Sequence, residues 1–123
     1  MTTLFDAQQA GIAPWDNKIK DRSLVAVYLD KYPCTPGHRL YVPKDANPNW
    51  IVEAMKQALV DGNHMVESGE CDGFNIGFNS GVAAGQTVMY PHVHLIPRRS
   101  GDVEDPVGGV RNTIPGKGNY KKC

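Results

Sequence analysis

The sequence holds no apolar run near the roughly 20 residues that cross a bilayer, so no membrane partner is expected. Thirteen basic and thirteen acidic residues cancel, which leaves no whole-molecule field to draw in a nucleic-acid polymer or an anionic membrane. Any anion bound here must be held by a local arrangement. Cysteine is scarce. Cys34, Cys71 and Cys123 are odd in number and far apart, which argues against a disulfide framework and fits a reducing cytoplasm. There is no C-x-x-C pair, so nothing suggests a structural zinc built on thiolates. Met1 to Pro14 lacks the charged start and apolar core of a signal peptide.

What is present suits one domain over residues 1–123, with residues 1–22 and 103–123 left unassigned. Hydrophobic residues make up 41% and charged residues 21%, as in ordinary globular chains, while 13 glycines and 9 prolines favour turns over a helical bundle. Ser23 to Leu29 reads as a buried strand rich in β-formers, and His38 to Val42 as a second, antiparallel to it across a Pro- and Gly-containing loop. Asn47-Pro48 has the form of a helix start. From there Ile51, Met55, Ala58, Leu59, Gly62, Met65 and Val66 recur at helical spacing as far as Ser68-Gly69. Gly73 to Asn79 alternates as a half-buried strand, and Gln86 to Ile96 reads as a fourth, with Val88, Tyr90, His92, His94 and Ile96 on one face. Pro91 sits awkwardly there, because it lacks a ladder donor. The order β-β-α-β-β defines an α+β domain with a mostly antiparallel sheet.

The chemistry concentrates between Gly85 and Arg98. Two of the four histidines, His92 and His94, lie two apart beside a small-residue loop and an arginine. A neutral imidazole bonded at Nδ1 presents its Nε2 lone pair outward and can attack phosphorus, splitting one displacement into two. The second histidine is placed to bind phosphoryl oxygens or to serve the leaving group. Such chemistry needs no metal. Two other readings stay open at this point: a zinc site completed by His38, or a solvated polar strand face.

Three segments resemble the histidine-triad family. Gln86-Thr87-Val88-x-Tyr90-x-His92-x-His94-Leu95-Ile96-Pro97-Arg98 is similar to its triad signature. Pro36-Gly37-His38-Arg39-Leu40-Tyr41-Val42-Pro43-Lys44 is similar to its upstream P-G-H-x-L-x-x-P-K segment, and Gly77-Phe78-Asn79-x-Gly81 to the strand and loop before the triad. The resemblance runs from about Ser23 to Asp102 and implies a sheet of about five antiparallel strands, one main helix, and a homodimer. His92 maps onto the family's nucleophile, His94 onto the third triad histidine, His38 onto the upstream histidine that orients the site. Tyr90 stands where the family carries its first triad histidine, so a proton relay through that position is in doubt.

The same matches place Asp30 on the ribose hydroxyls and Tyr28 and Leu29 against the base. Asn79, Gly85, Gln86 and Thr87 fall at the phosphate or leaving group, and Arg98 is an anion partner. The activity implied is hydrolysis of purine nucleotide derivatives at the α-phosphorus through a nucleotidyl-histidine. Dinucleoside polyphosphates are favoured by the ending Pro97-Arg98-Arg99-Ser100-Gly101-Asp102. A phosphoramidase and a catalytically weak nucleotide-binding protein are the alternatives. No covalent cofactor is implied; the only cation admitted is a divalent ion accompanying a polyphosphate substrate. The segment Asp105 to Cys123 either brings positive charge to the partner's site or remains a solvated tail.

Overall fold

The computed structural model describes residues 2–122; Met1 and Cys123 lie outside them. Helix α1 (Leu4–Gln9) is capped by Thr3, whose hydroxyl accepts the Asp6 N–H at 3.1 Å. Strand β1 (Lys18–Asp21) is short, charged and at an edge. Those features suit an edge strand, but its sequence lacks the β-branched alternation that would announce it. Strands β2 (Val25–Leu29), β3 (Arg39–Pro43), β4 (Gly73–Phe78) and β5 (Val93–Arg98) complete a five-stranded sheet. Its order is β1-β2-β3-β5-β4, and every pair is antiparallel.

Helix α2 (Pro48–Glu67) begins and ends where its caps predict. Asn47 accepts the Asn49 N–H at 2.8 Å, Pro48 occupies the first turn, and Ser68 closes the helix. Its buried face is narrower than the apolar periodicity suggests. Ala54, Ala58, Gly62 and Met65 face the sheet, whereas Leu59 and Val66 are exposed. Gly62 lies under the ring of Phe74, where a Cβ would come within 2.8 Å of the ring carbons. A helix-weakening residue is therefore required by close packing on β4.

Strand alternation sends Val25, Val27, Tyr41, Val93 and Leu95 under α2. Ala26, Tyr28, Leu40 and Val42 point the other way, beneath Leu4, Ala7 and Ala13 of the N-terminal segment and beside Tyr90. On β5, His94 pairs with Leu40 and Gly77 and shares this second face.

Two expectations are corrected. The fourth strand starts at Val93, not Gln86. Pro91 cannot donate to a ladder, and the Gln86 amide holds the carbonyls of Val88 and Met89. The C-terminal stretch, although mostly exposed, is not wholly a free tail. A 3-10 turn at Gly109–Thr113 packs against β4, and the Arg111 guanidinium donates to the carbonyls of Gly118 and Lys117 at 2.9 and 3.2 Å.

Candidate active site

The second face of the sheet is covered at the β1–β3 end by the N-terminal segment and beside β4 by the C-terminal turn. Between them opens a cavity of about 490 Å³, a volume in the range of small-molecule sites. His92 and His94 line it together with Leu29, Asp30, Asn79, Gly85, Gln86 and Thr87. Eight of the expected residues thus converge, from β2, β5 and the loop before β5.

The protonation pattern follows from the hydrogen bonds. His92 Nδ1 lies 2.8 Å from the carbonyl oxygen of Tyr90. A carbonyl only accepts, so Nδ1 carries the proton and Nε2 of the neutral ring keeps its lone pair. Burial holds the His92 pKa below its ordinary value, against opposing contributions from that carbonyl and from Asp30. The ring of Trp15 packs 4.8 Å from the His92 ring, centroid to centroid.

A second chain of bonds sets His94. The Cys34 backbone N–H donates to His38 Nδ1 at 3.2 Å, so a neutral His38 carries its proton on Nε2. That nitrogen lies 2.9 Å from His94 Nδ1 and 3.4 Å from Asp30 Oδ2. His94 Nδ1 accepts, and His94 Nε2–H is left as a donor. Burial, reinforced by the neighbouring His92 and His38, pushes the His94 pKa down to about 4. Burial also lowers that of His38, which is only 5% exposed and sits behind His94. At neutral pH the cavity thus offers one imidazole lone pair and one imidazole N–H.

The loop before β5 is held by one side chain. Gln86 Oε1 accepts the Gly81 N–H at 2.8 Å, and its Nε2 donates to Val88 and Met89 carbonyls at 3.1 and 3.2 Å. Gly81 and Gly85 have φ of 94° and 87°, values that favour glycine. Gln86 therefore positions the loop and has no amide group to spare for a phosphate. The Thr87 side chain lines the cavity, with no hydrogen bond to it among the described residues.

Three expected positions fall elsewhere. Tyr90 is 3% exposed and its hydroxyl donates to the Pro43 carbonyl at 2.7 Å, so its side chain belongs to the core beneath the N-terminal segment. Tyr28 is buried in the same cluster, its hydroxyl accepting from Gln8 Nε2. Arg98 is turned from the cavity by two bonds to Asp102, at 2.8 and 2.9 Å, and one to Asn75. The sequence reading missed Pro14, Trp15 and Asp16 on one wall and Lys31 and Tyr32 on another. The signal available was a tryptophan and a tyrosine in otherwise polar connections.

Asp30, His38 and His94 also form the one cluster among the described residues that could hold a metal, their ligand atoms lying within 4.8 Å of one another. The bonding pattern disfavours it. An ion on His38 Nε2 would leave that ring unable to accept from Cys34 N–H unless it became an imidazolate. The 2.9 Å separation of His38 Nε2 and His94 Nδ1 is also that of a direct hydrogen bond, shorter than the span of two zinc–nitrogen bonds of about 2 Å each at a tetrahedral angle.

An α+β fold with an antiparallel five-stranded sheet, carrying His92 beside the hydrogen-bonded pair His38 and His94 at a cavity, defines the class. The chain belongs to the histidine-triad family, since residues 15–101 match the model of the HIT domain. It is 34% identical over 93 residues to an adenylylsulfatase of Arabidopsis thaliana, covering 69% of this chain and 47% of that protein. It is 32% identical over 89 residues to an asymmetrical bis(5'-nucleosyl)-tetraphosphatase of Schizosaccharomyces pombe, covering 67% and 49%. The chain thus spans about half the length of these two relatives. Among solved structures it is similar to a zinc-bound histidine-triad family protein from Mycobacterium smegmatis, with TM-score 0.66, 33% identity, and 81% and 77% of the two chains covered.

Proposed function

We propose that the chain hydrolyses purine nucleotide derivatives at the α-phosphorus, with His92 as nucleophile and dinucleoside polyphosphates as the substrate class. The observation that carries this is the bond from His92 Nδ1 to the Tyr90 carbonyl, which keeps the proton on that nitrogen and the lone pair on Nε2. In the first step His92 Nε2 bonds to the α-phosphorus and the bond from phosphorus to the bridging oxygen breaks. The electron pair leaves with the departing phosphate, and the ring becomes a cationic nucleotidyl-imidazolium whose Nδ1–H remains on the Tyr90 carbonyl. His94 Nε2–H donates a hydrogen bond to the phosphoryl or departing oxygen. In the second step water replaces His92 on phosphorus, its proton passes to solvent, and the neutral imidazole is restored.

The favoured leaving group follows from the same pattern. A neutral His94 supplies a hydrogen bond and is not itself a source of a proton. A departing polyphosphate leaves as an anion, whereas the amine of a phosphoramidate must be protonated as it leaves. This favours polyphosphates over phosphoramidates, and both kinds of hydrolysis fall within the reading. Relatives include proteins named for adenylylsulfate and for dinucleoside tetraphosphate chemistry.

In this reading Asp30 takes the ribose hydroxyls, Leu29 the base, and Asn79, Gly85 and Thr87 the phosphates. Tyr90 occupies the first triad position. No metal takes part in the chemical steps, and a divalent cation enters only with a polyphosphate substrate. The functional unit is a homodimer. Two features support it: β4 is an edge of the sheet, and α2 exposes Val52 and Leu59, at 61% and 49%. The compartment is the cytoplasm, where the free thiols of Cys34 and Cys71 would persist. Among the described residues no helix is long and apolar enough to cross a membrane.

The test is a brief incubation with diadenosine tetraphosphate, an alkaline denaturing quench that preserves a phosphorus–nitrogen bond, and intact-mass measurement. A nucleotidyl adduct in the wild type, lost in His92→Ala, is expected. Tight nucleotide binding with neither adduct nor product would replace the enzyme with a nucleotide-binding protein.

A further inference from the structure

Asp30 is a carboxylate facing a row of imidazoles. It follows the last residue of β2, and its side chain is only 16% exposed. Oδ1 accepts the Tyr32 N–H at 2.8 Å, which fixes the carboxylate in its turn. Oδ2 lies 3.4 Å from His38 Nε2, yet the proton on that nitrogen is directed to His94 Nδ1 at 2.9 Å. From His38 the row continues to His94 at 5.2 Å, centroid to centroid, and from His94 to His92 at 5.3 Å. Burial lowers the pKa of all three histidines, and in each the charge of Asp30 opposes it. The carboxylate is therefore felt along the whole row, as far as His92.

The cavity offers few other charges. Among the described residues its lining holds Asp16, Asp30 and Lys31 as charged side chains. Lys31 Nζ and Asp16 Oδ2 lie 4.0 Å apart, on side chains 65% and 74% exposed, where solvent screens both. Tyr32 adds an exposed phenol. Residues 79–88, the loop before β5, carry no charge. On β5 itself Arg98 is bonded to Asp102. Asp30 is thus the one largely buried charge in the lining.

Ribose hydroxyls need acceptors, and an amide oxygen supplies one as well as a carboxylate does. A buried negative charge matters most where positive charge develops. In the reaction proposed above that place is His92. The ring is neutral when Nε2 bonds to the α-phosphorus, and it is cationic once the departing oxygen has taken its electron pair. Its Nδ1–H stays on the Tyr90 carbonyl, which is no base at neutral pH, so the ring keeps the charge until water displaces it.

We propose that Asp30 is the counter-charge of the nucleotidyl-imidazolium formed on His92, in addition to its contact with the ribose. No proton moves to or from the carboxylate. Its field along the row of imidazoles lowers the energy of the cation and of the transition state leading to it. The inference rests on the function proposed above.

Asp30→Asn tests it, because the amide keeps an oxygen for the Tyr32 N–H and removes the charge. Two substrates separate charge from contact: adenosine 5'-phosphorofluoridate and its 2',3'-dideoxy counterpart, which has no ribose hydroxyls. Fluoride departs in the step that forms the adduct, so its release in the first turnover, at saturating substrate, reports formation of the cation. The variant should release fluoride more slowly than wild type by about tenfold or more from both substrates, as expected for loss of an opposite charge. The His92 imidazole, followed by NMR in the ligand-free proteins with EDTA present, should titrate at lower pH in the variant, and the same spectra report that it is folded. A smaller loss with the dideoxy substrate, or a His92 titration that does not move, overturns the counter-charge and leaves the parent reading standing. A wild type that releases no fluoride and forms no adduct on His92 overturns the parent reading, and the counter-charge with it.

Discussion

Acid should destabilise this protein through its histidines, and His94 allows the size of the effect to be worked out. An imidazole in an unfolded chain titrates near 6.5, and burial beside two other histidines pushes that of His94 down to about 4. Between those values the unfolded chain binds the proton and the folded protein resists it, so stability is full above 6.5 and falls as the pH drops toward 4. At about 1.4 kcal/mol per pH unit the interval corresponds to about 3 kcal/mol. Allowance for the solvent that a cavity-lining ring still meets reduces this to about 2 kcal/mol. Urea unfolding of wild type and His94→Asn at one protein concentration, at pH 7.5 and pH 4.5, isolates the contribution. The wild type should lose about 2 kcal/mol more than the variant, a difference of about 1 M in midpoint for an m-value near 2 kcal/mol/M. The shifted carboxylates are common to both proteins and cancel. Parallel losses would refute the reasoning, because they would mean that His94 is as solvated when folded as when unfolded.

Three further outcomes are expected. Removing the indole in Trp15→Ala readmits water to His92, so its depressed pKa should rise toward 6.5; the acid limb of the kcat/KM profile should move to higher pH, and an unmoved limb would show that the indole does not desolvate His92. Gln86→Ala deletes three side-chain bonds that hold the loop before β5; kcat/KM should fall tenfold or more, with a stability loss of about 1–3 kcal/mol in a thermal melt. Tyr90→Phe strips the buried Pro43 carbonyl of its hydroxyl donor and should cost about 1–3 kcal/mol in denaturant unfolding, with kcat within a few-fold of wild type.

The parts of the fold legible in the sequence are those whose signals are local. The Asn47-Pro48 start of α2 and its Ser68 end are read from capping chemistry alone, and β2 and β3 from dense β-formers. Strand β1 was not legible, because Lys18-Ile19-Lys20-Asp21 carries one half-buried apolar residue and owes its place to pairing with β2. The early start expected for β5 came from alternation continued through Pro91, where side-chain bonds of Gln86 compete for the carbonyls a ladder would use. The C-terminal turn escaped notice for a related reason. Its order comes from the absence of side chains at Gly108 and Gly118 and from carbonyl acceptors for Arg111, none of which has a periodic signature. At the cavity, the lining residues that belong to motifs were legible, while the walls contributed by Trp15 and Tyr32 were not, since they come from connections without a periodic or motif signature.

Position 90 shows how a site can depend on a residue whose side chain never enters it. The Tyr90 carbonyl receives His92 Nδ1–H, and that bond requires the backbone at 90 to stay fixed relative to the strand that follows. Pro91, with its restricted φ and no N–H, narrows the conformations of the link between them. The Tyr90 ring shares a buried cluster with Leu4, Ala7 and Ala13 of the N-terminal segment, and its hydroxyl is bonded to Pro43 at the end of β3. The segment that holds this ring also carries Trp15, which packs on His92. One stretch of chain therefore sets both the orientation of His92, through a carbonyl, and its desolvation, through an indole. A tyrosine suits position 90 because what the site takes from it is a main-chain oxygen held in place. The long, buried, hydrogen-bonded side chain holds that oxygen, in a setting where a shorter imidazole would leave the Pro43 carbonyl out of reach.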